Sequence, residues 1–193
     1  MKINFSLSII AFLIVYNSCK QKENPKDILF LNSFQEWFED GNAQWELDQG
    51  VLIGSLDSGS GFVMTKDVHS NFEMTLEFFP DSTINSGVYL RCRDKVISAT
   101  DCYEINIWDL HPNQENRTGA VVGRALPLQN VETTNKWNTY RIRIQKEHIE
   151  AWINGIQTVN YYNHDLVEGY IPLQAAVKGE IRFRNVQITD LMY

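Results

Sequence analysis

Apolar and polar residues alternate in short runs along most of this chain. The clearest are Phe72-Glu73-Met74-Thr75-Leu76-Glu77-Phe78-Phe79, Gly87-Val88-Tyr89-Leu90-Arg91 and Tyr103-Glu104-Ile105-Asn106-Ile107-Trp108. Further runs begin at Tyr140, Ile149 and Ile181. A period of two with β-branched and aromatic residues predicts strands, because successive side chains of a strand point to opposite faces. No helix-length amphipathic stretch stands out among them. Only residues 31–40, with Ser33 as a cap and Glu36 three residues on, read as one short helical turn. Asn154-Gly155 marks a hairpin, since both residues tolerate positive φ. Many short strands between turn signals predict an all-β sandwich or barrel.

The N-terminus has a different pattern. Lys2 is the only charge in the first eighteen residues, and an apolar run from Ile9 to Val15 comes after it. That run is shorter than the roughly 20 apolar residues a membrane span needs. A basic start, a short apolar core and small polar residues predict a secretory signal peptide over residues 1–18. Ser18-Cys19 resembles a lipobox, with Tyr16 where a Leu is usual. The expectation is an exported lipoprotein facing the periplasm or cell surface, lipidated at Cys19 and held to the membrane by that anchor only. Residues 19–27 are polar with one Pro and read as a tether. Residues 28–193 remain as one domain with a full core.

Composition narrows the partners. A net charge of −7 without a basic stripe argues against nucleic acid. Five Trp and eight Tyr suit strands, and they also suit stacking on sugar rings. An oxidising compartment allows a Cys92–Cys102 disulfide. Alternation, however, puts the two cysteines on opposite faces of their strands and weighs against the bridge.

The same alternation sorts the candidate chemistry. Val88, Leu90 and Cys92 share one face, and Tyr89, Arg91 and Arg93 the other. Tyr103, Ile105 and Ile107 share one face, and Cys102, Glu104, Asn106 and Trp108 the other. If these two strands are neighbours, Arg91 lies beside Glu104. A surface of Tyr, Arg, Glu, Asn and Trp is what a concave sugar-binding sheet requires. An ordinary solvated face with an Arg–Glu ion pair would look the same.

Several segments, in order, resemble the 3-keto-disaccharide hydrolase domain family. Asn85-Ser86-Gly87-Val88-Tyr89-Leu90-Arg91 is similar to its Asn-Ser-Gly-x-x-x-Arg motif, and Tyr103-Glu104-Ile105-Asn106-Ile107-Trp108-Asp109 to its Tyr-Glu-x-Gln-x-x-Asp motif. Thr118-Gly119-Ala120, Trp137-Asn138, Ile153-Asn154-Gly155, Gly169-Tyr170-Ile171-Pro172-Leu173-Gln174 and Phe183-Arg184-Asn185-Val186 match further elements. The resemblance implies a concanavalin-like jelly-roll β-sandwich of two curved antiparallel sheets. Asn106 stands where the family usually has Gln. Ala176 stands where it often has His, which puts catalytic competence in question.

The resemblance also implies a reaction, the cleavage of an oxidised disaccharide or glycoside. A ketone at C3 acidifies the C2 proton, a general base removes it, the C1 aglycone leaves, and water adds to the double bond. Glu104 is then the candidate acid or base. Arg91 steadies the enolate or a sugar hydroxyl, and Tyr89 donates a proton or hydrogen bond. Asn106, Trp108, Gln174 and Lys178 are candidates for the binding surface, with Gln174 and Lys178 on one face by parity. Asp109 and His111, at the strand's end, could handle the leaving group or a divalent cation, although Asp-x-His alone is a weak metal signal. Two other readings stay open. Glu104 to Asp109 also resembles a degraded Glu-x-Asp-x-x-Glu motif of retaining glucanases, which need two carboxylates about 5–5.5 Å apart. In that reading Asp109 has the wrong parity unless a bulge intervenes. The other is a non-catalytic glycan-binding lipoprotein.

Overall fold

The computed structural model describes residues 37–192 except 96 and 99. The expected signal peptide, Cys19, the tether and the start of the domain at residue 28 lie outside the described residues. Within them are twelve strands: β1 (Trp37–Gly41), β2 (Gln44–Asp48), β3 (Val51–Leu56), β4 (Ser60–Thr65), β5 (Phe72–Pro80), β6 (Asn85–Leu90), β7 (Tyr103–Ile107), β8 (Asn138–Gln145), β9 (His148–Ile153), β10 (Ile156–Tyr162), β11 (Pro172–Ala176) and β12 (Gly179–Asp190). A single 3-10 turn, Gln114–Asn116, is the other regular element. The helical turn expected over residues 31–40 is not found where the chain is described, because Trp37–Gly41 pairs with β4 as a strand.

The strands form two antiparallel sheets. One has five strands in the order β1-β4-β11-β6-β7, and the other has seven in the order β10-β9-β8-β5-β12-β3-β2. β5 shows why the sheets stack. Phe72, Met74, Leu76 and Phe78 are buried while Glu73, Thr75 and Glu77 are not. These buried side chains meet Val88, Leu90, Ile105, Ile107 and Leu173 of the five-stranded sheet in one core. Each large aliphatic or aromatic side chain so buried contributes about 1.5–3 kcal/mol.

Two hairpins rest on paired left-handed residues. Asn154 (φ 51) and Gly155 (φ 80) turn β9 into β10, as the sequence predicts. Gln49 (φ 48) and Gly50 (φ 81) turn β2 into β3 in the same way.

The two sides of the sandwich are closed differently. On one side the chain crosses directly from β1 in one sheet to β2 in the other, each an edge strand. On the other side the loop after β7 covers both edges. Asn106 N donates to Ala120 O (3.0 Å), Val122 N donates to Glu104 O (3.0 Å), and Leu128 N donates to Thr158 O of β10 (2.8 Å).

A disulfide joins Cys92 and Cys102, with Cα atoms 4.3 Å apart. The expectation from alternation is therefore corrected. Arg91 has φ 52, which ends β6 and breaks the parity of the residues after it. Cys92 then joins Cys102, Phe62, Met64 and Tyr89 in a small second cluster separate from the main core.

Candidate functional site

Strands β6, β7 and β11 place the candidate residues on the face of the five-stranded sheet turned away from the main core. Tyr89 lies directly across from Glu104, and Gly87 lies between Asn106 on one side and Gln174 on the other. The Glu104 carboxylate lies over Gly87. A Cβ on that glycine would stand 3.2 Å from Oε1 and 3.3 Å from Cγ. A glycine within a strand is one sequence mark of such a close approach. The Glu104 backbone is held by β6 on one side and by the 119–122 segment on the other.

Side chains are linked across this face. Gln174 Nε2 donates to Tyr89 Oη (2.9 Å), and Tyr89, directly across from Glu104, is near enough for its hydroxyl to favour the ionised carboxylate. Burial pushes Glu104 from 4.5 up to about 7, only partly offset by the Tyr89 hydroxyl. Tyr89 is pushed up by burial and by the neighbouring carboxylate, so it keeps its proton. Phe62 packs edge-on against the Tyr89 ring, with centroids 5.6 Å apart. Two buried acceptors on this face, Gln174 Oε1 and Asn85 Oδ1, have no hydrogen-bond partner. Asn85 appears in the sequence only within its motif, and nothing in the alternation marks it as a site residue.

The other candidates are placed elsewhere, each for a local reason. Arg91 is 1% exposed and does not join Glu104. Its Nε donates to Ser70 O (2.7 Å), Nη1 to Lys146 O and Leu166 O (2.8 Å each), and Nη2 to Asn71 Oδ1 (3.3 Å). It fastens three loops at one end of the sandwich, and its own left-handed backbone turns it there. Asn106 spends its amide inside the protein, donating to Asn116 O and accepting from Ile107 N.

Asp109 is a latch for the long loop. Its carboxylate accepts from Thr133 N (2.6 Å), Thr133 Oγ1 (2.9 Å), Thr134 N (3.1 Å) and Thr134 Oγ1 (3.0 Å). Burial pushes its carboxyl up, but the threonine hydrogen bonds outweigh this and hold it below the usual value. His111 packs edge-on against Trp108 (centroids 4.6 Å apart), and its Nδ1 accepts from Asn113 N. Asp109 and His111 therefore act within the loop, and no three His, Cys, Asp or Glu side chains gather as a metal site among the described residues. Lys178 leaves the Gln174 face because Val177 (φ 71) ends β11. It lines a separate polar cavity of about 520 Å³ with Asp57, Asp81 and Glu180.

Comparisons with known proteins agree with this architecture. No curated protein matches the chain. A candidate glycosyl hydrolase of known structure from Parabacteroides distasonis is 26% identical, with a TM-score of 0.73, covering 84% of this chain and 98% of its own. A second from the same organism is 17% identical with a TM-score of 0.74, covering 88% and 95%. The β-glucanase of Bacillus licheniformis is 15% identical with a TM-score of 0.59, covering 84% and 96%. The fold is thus the concanavalin-like jelly roll of two antiparallel sheets, and the similarities support a carbohydrate-active role. The model of one family matches residues 29–189, and on that match the chain belongs to the 3-keto-alpha-glucoside-1,2-lyase-like domain family.

Proposed function

We propose that this protein cleaves glycosides already oxidised at C3, with Glu104 as the general base. One observation carries the reading. Glu104 is a half-buried carboxyl pushed up to about 7 by burial, it lies across from Tyr89, and it is the single carboxylate on strands β6, β7 and β11. A lone base poised near neutrality suits removal of an acidified C–H proton. It does not suit a retaining glucanase, which needs a second carboxylate about 5–5.5 Å away. Asp109, the carboxylate that the glucanase-like motif offers, is bound by Thr133 and Thr134.

In this reading Glu104 takes the C2 proton, and the electron pair moves toward the C3 ketone as an enolate. The enolate collapses to a C1–C2 double bond as the C1–O bond breaks. The departing aglycone takes a proton from Glu104 or water. Water then adds its hydroxyl to C1 and its proton to C2, so the net change is hydrolysis without redox. Arg91 is fastened elsewhere, so the enolate needs another donor. Tyr89 fills that role: once Glu104 is protonated, the tyrosine O–H is released from the carboxylate and can turn to the new oxyanion.

The test pairs two substrates with two proteins. A nitrophenyl 3-keto-glucoside and its unoxidised parent are each given to the wild type and to Glu104→Gln. Turnover of the keto sugar alone, reduced about 10²–10⁴-fold in the variant, is the expected result. Turnover of the parent sugar, or undiminished activity in the variant, would refute it. Binding of either sugar without turnover would make the domain a glycan binder.

A further inference from the structure

The orientation of one amide group on this face is fixed by its neighbours. Tyr89 has a single hydroxyl proton, and an ionised Glu104 can only accept. Tyr89 therefore donates to Glu104 and accepts from Gln174, so the nitrogen of the Gln174 amide faces Tyr89. The amide oxygen then points away. It is buried, on a side chain 6% exposed, and finds no donor among the described residues. Buried acceptors are ordinarily paired, so this one is suited to a donor brought by a ligand.

We propose that Gln174 reads the substrate: its oxygen accepts a hydroxyl of the sugar, and its N–H carries that contact through Tyr89 to Glu104. The inference rests on Glu104 as the base in the reading above, and adds what the substrate must present. A ketone or ether oxygen has no proton and cannot satisfy Gln174. The contact must therefore come from a hydroxyl that survives oxidation at C3, at C2, C4, C6 or on the aglycone. Hydrogen bonds in a chain polarise one another. A hydroxyl donating to Oε1 strengthens the N–H bond to Tyr89, and so the Tyr89 O–H bond to the carboxylate. Binding of the right sugar thus favours the ionised, proton-accepting form of Glu104. Asn85, whose unpaired Oδ1 lies on the same face, stands beside this contact.

Two measurements test the inference. The first compares kcat/KM for a 3-keto-glucoside and its 2-deoxy, 4-deoxy, 6-deoxy and aglycone-deoxy analogues, in the wild type and in Gln174→Met. In the wild type, one analogue should lose at least about ten-fold, and Gln174→Met should treat that analogue and the parent alike. The second tracks the titration of Glu104 by carbon-13 NMR without substrate. Gln174→Met should raise the titration midpoint, as should Tyr89→Phe, and Gln174→Met added to Tyr89→Phe should move it no further. Equal rates for all analogues in the wild type, or a Glu104 midpoint unchanged in a folded Gln174→Met, would overturn the proposal. The titration needs no substrate, so absence of any turnover would sink the keto-glycoside reading while the coupling through Tyr89 is still decided.

Discussion

Glu104→Gln should make this protein more stable at pH 8 and leave it nearly unchanged at pH 4. The folded state holds the Glu104 carboxyl at about 7 rather than 4.5. Between those values the folded chain keeps a proton that the unfolded chain has lost. Stability changes with pH in proportion to protons bound unfolded minus protons bound folded, which here is negative, so stability falls as pH rises through this window. At about 1.4 kcal/mol for each tenfold change in proton affinity, the penalty approaches about 3 kcal/mol by pH 8. Gln is neutral at every pH and can still accept from Tyr89, so it removes the penalty and keeps the hydrogen bond. Urea unfolding of both proteins at pH 4 and pH 8, with the disulfide intact, measures the difference. A stability gain that is the same at both pH values, or a loss at pH 8, would refute the claim that burial sets this carboxyl. The group that the reaction needs would then be one that the fold tolerates without strain.

Three further outcomes are expected. Arg91→Met should lower stability by about 3 kcal/mol or more, since it strands the carbonyls of Ser70, Lys146 and Leu166. It should leave the acid limb of the pH–rate profile in place, and a shifted limb would return Arg91 to the chemistry. Asp109→Ala should cost about 2–3 kcal/mol at neutral pH by leaving buried threonine donors unpaired. Because its carboxyl is held low in the fold, that loss should shrink as pH falls through its titration; urea unfolding at pH 7 and pH 3 checks it. Cys19→Ala should abolish labelling by a fatty-acid analogue and release the protein from membranes, and a variant still labelled would refute the lipobox reading.

Alternation read the strands well where one face is buried and the other is wet, as in β5, β8 and β12. It could not read β11, whose five residues are all buried and carry no period of two. Parity put Tyr89 on the face of Glu104 but set Arg91 beside the carboxylate, and it grouped Gln174 with Lys178; the fold brings Tyr89, Glu104 and Gln174 together and sends Arg91 and Lys178 elsewhere. It failed one residue past a strand's end. Arg91 and Val177 each take a left-handed backbone that ordinary residues rarely adopt. Each such turn reverses the face of the residues after it, which misplaced Arg91, Cys92 and Lys178. Asn106 and Asp109 were misjudged for another reason: their partners, Asn116, Thr133 and Thr134, lie in a long loop whose path no short-range pattern encodes.

The unequal closure of the two sides of the sandwich has a consequence for crowding. A bare edge strand is a template on which a neighbouring molecule can add its own strand. On one side the loop after β7 occupies the edge hydrogen bonds of β7 and reaches β10. On the other, no strand among the described residues pairs with the outer edge of β1 or β2, and these strands carry Glu39, Asp40, Glu46 and Asp48, all exposed. Two copies approaching edge to edge would bring these carboxylates together before any ladder could form. Self-association is thus opposed by the chain's own covering on one side and by like charge on the other, and the second defence weakens as salt rises or pH falls.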